Sequence, residues 1–192
     1  MGFAASWICA RGLTLASALE ALDLVETGQA AEPWRTPFSC AELPGGWLAI
    51  TSTNPDWMLP QKVQTLSTGG PAVGCFMSDY VMNSGACAYE QGKQVWWVLH
   101  EPEEGITNLT HGGKPPARFE TLLAKALKDH EAYTPDPHEV DFVFDVPIDL
   151  AVSICGFRPD DDPPEGVAFK ELRPKKGRGS GLFGKLSGLF VR

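Results

Sequence analysis

The stretch that most constrains the fold is "PAVGCFMSDYVMNSGACAYEQGKQVWWVLH", residues 71–100. It reads as long β segments joined through the turn "EQGK", because β-branched, aromatic and small apolar residues there are punctuated only by turn formers. Its last part, "QVWWVLH", is apolar on both alternating faces until His100. A strand apolar on both faces has to be covered on both, so the chain needs further elements above and below a sheet.

The flanking sequence supplies them. Residues 3–10, "FAASWICA", read as a buried strand. Thr14 then caps a helix whose Leu15, Ala18, Leu19 and Leu22 share a face, with "ETG" ending it. "PFSCAELPGGWLAITS" reads as a hairpin turning at "LPGG", and "NPDWMLPQKVQTLSTGG" as a short helix stopped by Gly69 and Gly70. After an acidic, glycine-rich loop over 101–116 comes the clearest helix, 117 to about 132, in which Phe119, Leu122, Leu123, Ala126, Leu127 and His130 recur at helical spacing. "VDFVFDV" alternates as a half-exposed strand does. "PIDLAVSICG" reads as a helix capped by Gly156, "RPDDDPPEG" as loop and "VAFKEL" as a last strand. The sum is an α+β domain over 1–173, a mixed and mainly antiparallel sheet packed with three to four helices. Two β-α-β-like halves are compatible with the same order of elements. Residues 174–192 form a basic, glycine-rich linker and an amphipathic, flexible tail.

Charge divides the chain at the same place. The net charge is -8, yet residues 170–192 hold seven bases and one acid, leaving 1–169 with nine bases and twenty-three acids. An acidic body repels phosphates, which excludes a nucleic-acid-binding core and favours a basic protein partner. Five cysteines without a CxxC pair make a poor disulfide framework and point to reduced thiols in a cytoplasm. The N-terminus has no basic region ahead of its apolar stretch, so it does not read as a signal peptide, and no apolar run is long enough to span a membrane.

Chemical motifs are sparse. "HEPEE" (100–104) lacks the second histidine of a zinc helix, and Pro102 breaks the helix such a site needs, so with His111 it makes a solvated acidic loop. "DDDPPEG" has prolines where a calcium loop needs alternating ligands. Ser84 and Cys87 have no nucleophile elbow around them, and the pairing across "EQGK" puts Cys87 nearer Trp96 or Trp97 than His100. No phosphate loop follows a strand and opens a helix. No catalytic residue, metal or cofactor is therefore assigned. The candidate binding residues are Trp96, Trp97, His100, Glu101, Glu103 and Glu104, with Trp96, Trp97 and Trp47 as a possible exposed aromatic platform.

The strings "SWICARG…ALEALDLVETG", "LPGGWLAI", "VMNSGACAYEQGKQVWWVLHE" and "VDFVFDVPIDLAVSICGFRPD" resemble a group of small bacterial proteins of unknown function over about residues 4–172. In size and acidity the chain also resembles immunity proteins, which neutralise toxic effectors through acidic surfaces. The tail adds a second contact: Leu182, Phe183, Leu186, Leu189 and Phe190 recur at helical spacing with Lys185 off the stripe. Such a segment suits a hydrophobic groove, on the body or on a partner, or a peripheral membrane contact through 181–192. The expected function is a non-enzymatic cytoplasmic binding protein of inhibitor or adaptor type. The alternative is a small-molecule enzyme with its site near the Trp-rich sheet and the His100–His111 loop.

Overall fold

The computed structural model describes residues 2–133 and 140–175; the tail residues 176–192, with all the contacts expected of them, lie outside the described part. The strands are β1 (Ala4–Ala10), β2 (Leu24–Ala30), β3 (Phe38–Leu43), β4 (Trp47–Ser52), β5 (Ala72–Ser78), β6 (Asn83–Glu90), β7 (Lys93–His100), β8 (Leu109–Gly113) and β9 (Lys170–Pro174). They form one sheet in the order β2-β9-β3-β4-β1-β5-β6-β7-β8, with every pairing antiparallel. The helices are α1 (Leu15–Ala21), α2 (Pro60–Leu66), α3 (Arg118–Ala132) and α4 (Asp145–Cys155). The fold is α+β.

The pleat sorts the strand residues into two cores. Ala5, Trp7 and Cys9 of β1 pack with Val73, Cys75 and Met77 of β5 under α3 and α4, where Ile148, Leu150 and Ala151 are fully buried. Ile8 and Ala10 face the other way, onto α1 and α2 through Ala18, Leu19, Val63 and Leu66. β1 runs through the middle of the sheet between β4 and β5 and buries six of its seven residues, which is why "FAASWICA" carries almost no polar atom. The hydroxyls that do enter the sheet are paired: Ser39 Oγ and Thr51 Oγ1 lie 2.6 Å apart, and Ser6 Oγ donates to Asn54 O at 2.8 Å.

Local signals account for the turns and caps. Thr14 accepts from the Ser17 amide and starts α1, and Gln91-Gly92, both at positive φ, close the β6–β7 hairpin inside "EQGK". Gly156 ends α4 in the left-handed conformation.

Several expectations are corrected. "ETG" does not end a helix, since α1 stops at Ala21 and "LVETGQA" is strand β2. The loop 101–116 contains the edge strand β8. Gly112 sits where a Cβ would meet Trp97 Nε1 at 2.4 Å, so a residue type that reads as loop is what lets the edge strand lie against the indole. "VDFVFDV" is no strand: Val143 and Phe144 are buried, and the segment turns directly into α4, which begins at Asp145. With every pairing antiparallel there are no β-α-β halves among the described residues, because a parallel pair is what that unit requires.

A candidate binding groove at the end of the central strands

The ends of β5, β6 and β7 present two different surfaces on their two faces. On the α4 face, Met77 of β5 stands opposite Ser84 of β6, and Ser84 opposite His100 of β7. Ser84 Oγ donates to Phe144 O at 2.6 Å, and His100 Nε2 lies 2.7 Å from Asp141 Oδ2. Asp141 Oδ1 accepts from the amides of Val143 and Phe144, each at 3.0 Å. His100 Nδ1 faces the Asn108 carbonyl at 2.6 Å. Both ring nitrogens thus face oxygen atoms, one of a backbone carbonyl and one of a carboxylate. With no exposed surface on the His100 side chain, this is a clasp that ties the 141–144 turn to the sheet.

On the other face, Phe76, Gly85 and Leu99 stand across the three strands in one rung, and Ser78 and Asn83 pair in the next. Gly85 has no side chain, so the Phe76 ring lies over it toward Leu99; a Cβ there would fall 2.5 Å from Phe76 Cε1 and 3.1 Å from Leu99 Cδ1. The helices on this face are seven residues each, about 10 Å long at 1.5 Å per residue. β5, β6 and β7, at seven to eight residues, run about 25 Å. The strand ends are therefore left uncovered, and a groove of about 350 Å³ opens there.

The groove has an apolar floor and an acidic rim. Met58, Phe76, Leu99 and Val81 line it together with Asp56, Glu101 and Glu103. It continues into a shallower depression past Tyr80, Ile106, Glu104 and Asp141. Neither part is lined by a lysine or arginine. Among the described residues, Asp56, Glu101, Glu103 and Glu104 form no ion pair. Tyr80 and Val81, 69% and 60% exposed, stand at its mouth. Asn83 Oδ1, shut off from solvent in the groove wall, has no hydrogen-bond partner among the described residues.

The candidate residues read from sequence separate accordingly. Glu101, Glu103 and Glu104 gather at the groove, whereas His100, one residue from Glu101, points through the sheet into the clasp. Trp96 and Trp47 are buried in the α3–α4 core, and Trp97 packs on the opposite face. The aromatic platform is therefore absent from the surface, because neighbours in a strand alternate sides. His111 lies on β8 against the Phe119 ring, 4.8 Å between centroids. Among the described residues no three His, Cys, Asp or Glu side chains are placed to share a metal ion. Sequence reading missed Phe76, Gly85, Leu99 and Asp56. Strand register brings the first three together and the turn Pro55–Trp57 adds Asp56, although the glycine inside a strand was a local sign of close approach.

All five cysteines are buried and unbridged. Burial pushes the Cys87 thiol up to about 12 and the Cys40 thiol up to about 11, and raises Cys9 and Cys75 as well. A hydrogen bond with Cys9 lowers the Cys155 thiol instead, but that residue is 4% exposed, so reagents that attack the thiolate are expected to modify essentially none of the five in the folded protein and all five in denaturant, counted by intact mass. Rapid modification of a folded-state thiol would contradict this placement. Among the described residues no helix is long and apolar enough to cross a membrane. No protein-family model, no curated protein and no solved structure matches the chain.

Proposed function

We propose that the chain is a non-catalytic binding protein that receives a basic segment of a protein partner in this groove, as an inhibitor or adaptor does. The observation that carries the reading is the rim: every charged group lining the groove is a carboxylate, and the four outside the clasp have no cationic partner among the described residues. Unpaired like charges around an apolar floor repel one another until a cation enters, so a lysine- or arginine-bearing segment gains at the rim what a neutral one does not. The floor takes an apolar side chain beside that cation, and the volume lies within the roughly 300–1,000 Å³ of common ligand sites. The reading rests on no buried histidine or thiol. His100 has both ring nitrogens engaged, and Cys87 is fully buried, so a small-molecule enzyme would need to draw its chemistry from the carboxylates and from Ser78, Tyr80 and Asn83.

The test is an array of peptides pairing Lys or Arg with Leu or Phe, followed by calorimetric titration of the best binders. The intact chain is expected to bind such peptides with an affinity that falls as salt rises, and Glu101→Lys/Glu103→Lys is expected to lose about tenfold or more. Equal binding by the variant, or preference for neutral apolar peptides, sinks the proposal. Glu103 is exposed and Glu101 half-buried, so an unchanged melting temperature of the variant is what separates loss of contact from loss of fold.

A further inference from the structure

The chain carries its own basic segment beside this groove. We infer that residues 176–192 occupy the groove in cis and regulate its access to the partner; the inference rests on the groove being the binding site. β9 pairs with β3 so that its C-terminal end lies beyond Ser39, at the edge of the sheet where Phe38 meets Ser52, Ser52 meets Ser6 and Ala4 meets Ser78. The tail therefore leaves from the same end of the sheet at which the groove opens.

Distance and composition agree. From β9 to β5, β6 and β7 is four to six strand intervals, about 19–29 Å at 4.8 Å per interval. Residues 176–183 reach at most about 26 Å and residues 176–190 about 50 Å. The "KGRGS" linker thus delivers Leu182, Phe183, Leu186, Leu189 and Phe190 to the apolar floor. Lys176, Arg178, Lys185 and Arg192 are the only charged residues of this segment, matching a rim that is all carboxylate. A nearer depression between α1 and β2, lined by Leu19, Leu24, Glu20 and Glu26, is a poorer host. Its carboxylates already pair within the body, Glu20 with Lys175 and Glu26 with Lys170.

The experiment uses the intact chain with Ser187→Cys carrying a nitroxide, which the buried native thiols leave as the one reactive position among otherwise unexposed cysteines. Amide signals of Val81, Asn83 and Glu103 are expected to lose more than about half their intensity, and to recover in about 0.5 M salt and in Glu101→Lys/Glu103→Lys. Broadening centred on Ala16 and Val25, broadening that appears only between a labelled and a separate isotope-enriched molecule, or no broadening at all each overturns docking in cis. A second readout separates this inference from the groove reading. With the tail bases reversed (Lys176→Glu/Arg178→Glu/Lys185→Glu), a basic peptide that binds the groove is expected to gain about tenfold in affinity, because its intramolecular competitor is gone. Peptide binding that is equal in both chains sinks the tail inference and leaves the groove standing. Absence of binding in both sinks the two together.

Discussion

Asp141→Ala is expected to be among the most damaging single substitutions in the chain, at about 3–5 kcal/mol. The carboxylate is 4% exposed, lies 2.7 Å from His100 Nε2, and also accepts from the amides of Val143 and Phe144. Truncation leaves three donors without acceptors inside the protein, one on a histidine with no exposed surface. At roughly 2–4 °C per kcal/mol for a domain of this size, melting should fall by about 6–20 °C. Asp141→Asn keeps an acceptor for the amides but removes the charge facing His100, so it should fall between. Asp129→Ala, which breaks only the surface pair with Lys125, should have little effect. Denaturant unfolding of the three variants gives the comparison. An Asp141→Ala protein as stable as the Asp129→Ala protein would show that the clasp does not hold α4 to the sheet.

Gly12→Ala is expected to cost on the order of 3 kcal/mol or more, of which about 1–2 is the left-handed backbone alone. Gly12 has φ +78, and a Cβ there would lie 2.1 Å from the Gly69 carbonyl oxygen. The opposing atom is backbone, so nothing can rotate away. The turn after β1 and the turn before β5 have to separate, and the Arg11 N–H bond to Pro71 O, 3.0 Å, is at risk with them. Gly28→Ala is the matched control: φ is +84 but nothing lies within 4 Å of the added carbon, so only the conformational part, about 1–2 kcal/mol, remains. Equal losses at the two sites would mean that the 12–69 approach relaxes without penalty.

Much of the fold was legible wherever one local signal decided the outcome. Thr14 at the start of α1, "EQGK" between β6 and β7, and Gly156 after α4 each act over three or four residues, within reach of a sequence pattern. "VDFVFDV" was misread because its alternation matches a strand as well as it matches a turn that drops Val143 and Phe144 into the core. The choice depends on Ser84 and His100, some forty to sixty residues away, which hold that turn by hydrogen bonds. β8 was missed for a related reason: its glycines look like loop until Trp97 occupies the space above Gly112.

By itself the sequence determined the composition of this protein's parts: an antiparallel-rich α+β body, an acidic surface, and a basic amphipathic end, because periodicity and charge are properties of short stretches. Only the tertiary structure decided which residues share a face. His100 and Glu101 are neighbours in the chain yet belong to a buried clasp and an open groove, since the pleat sends successive side chains to opposite sides of the sheet. Phe76, Gly85 and Leu99 are far apart in the chain yet form one floor, since strand register sets them in one rung.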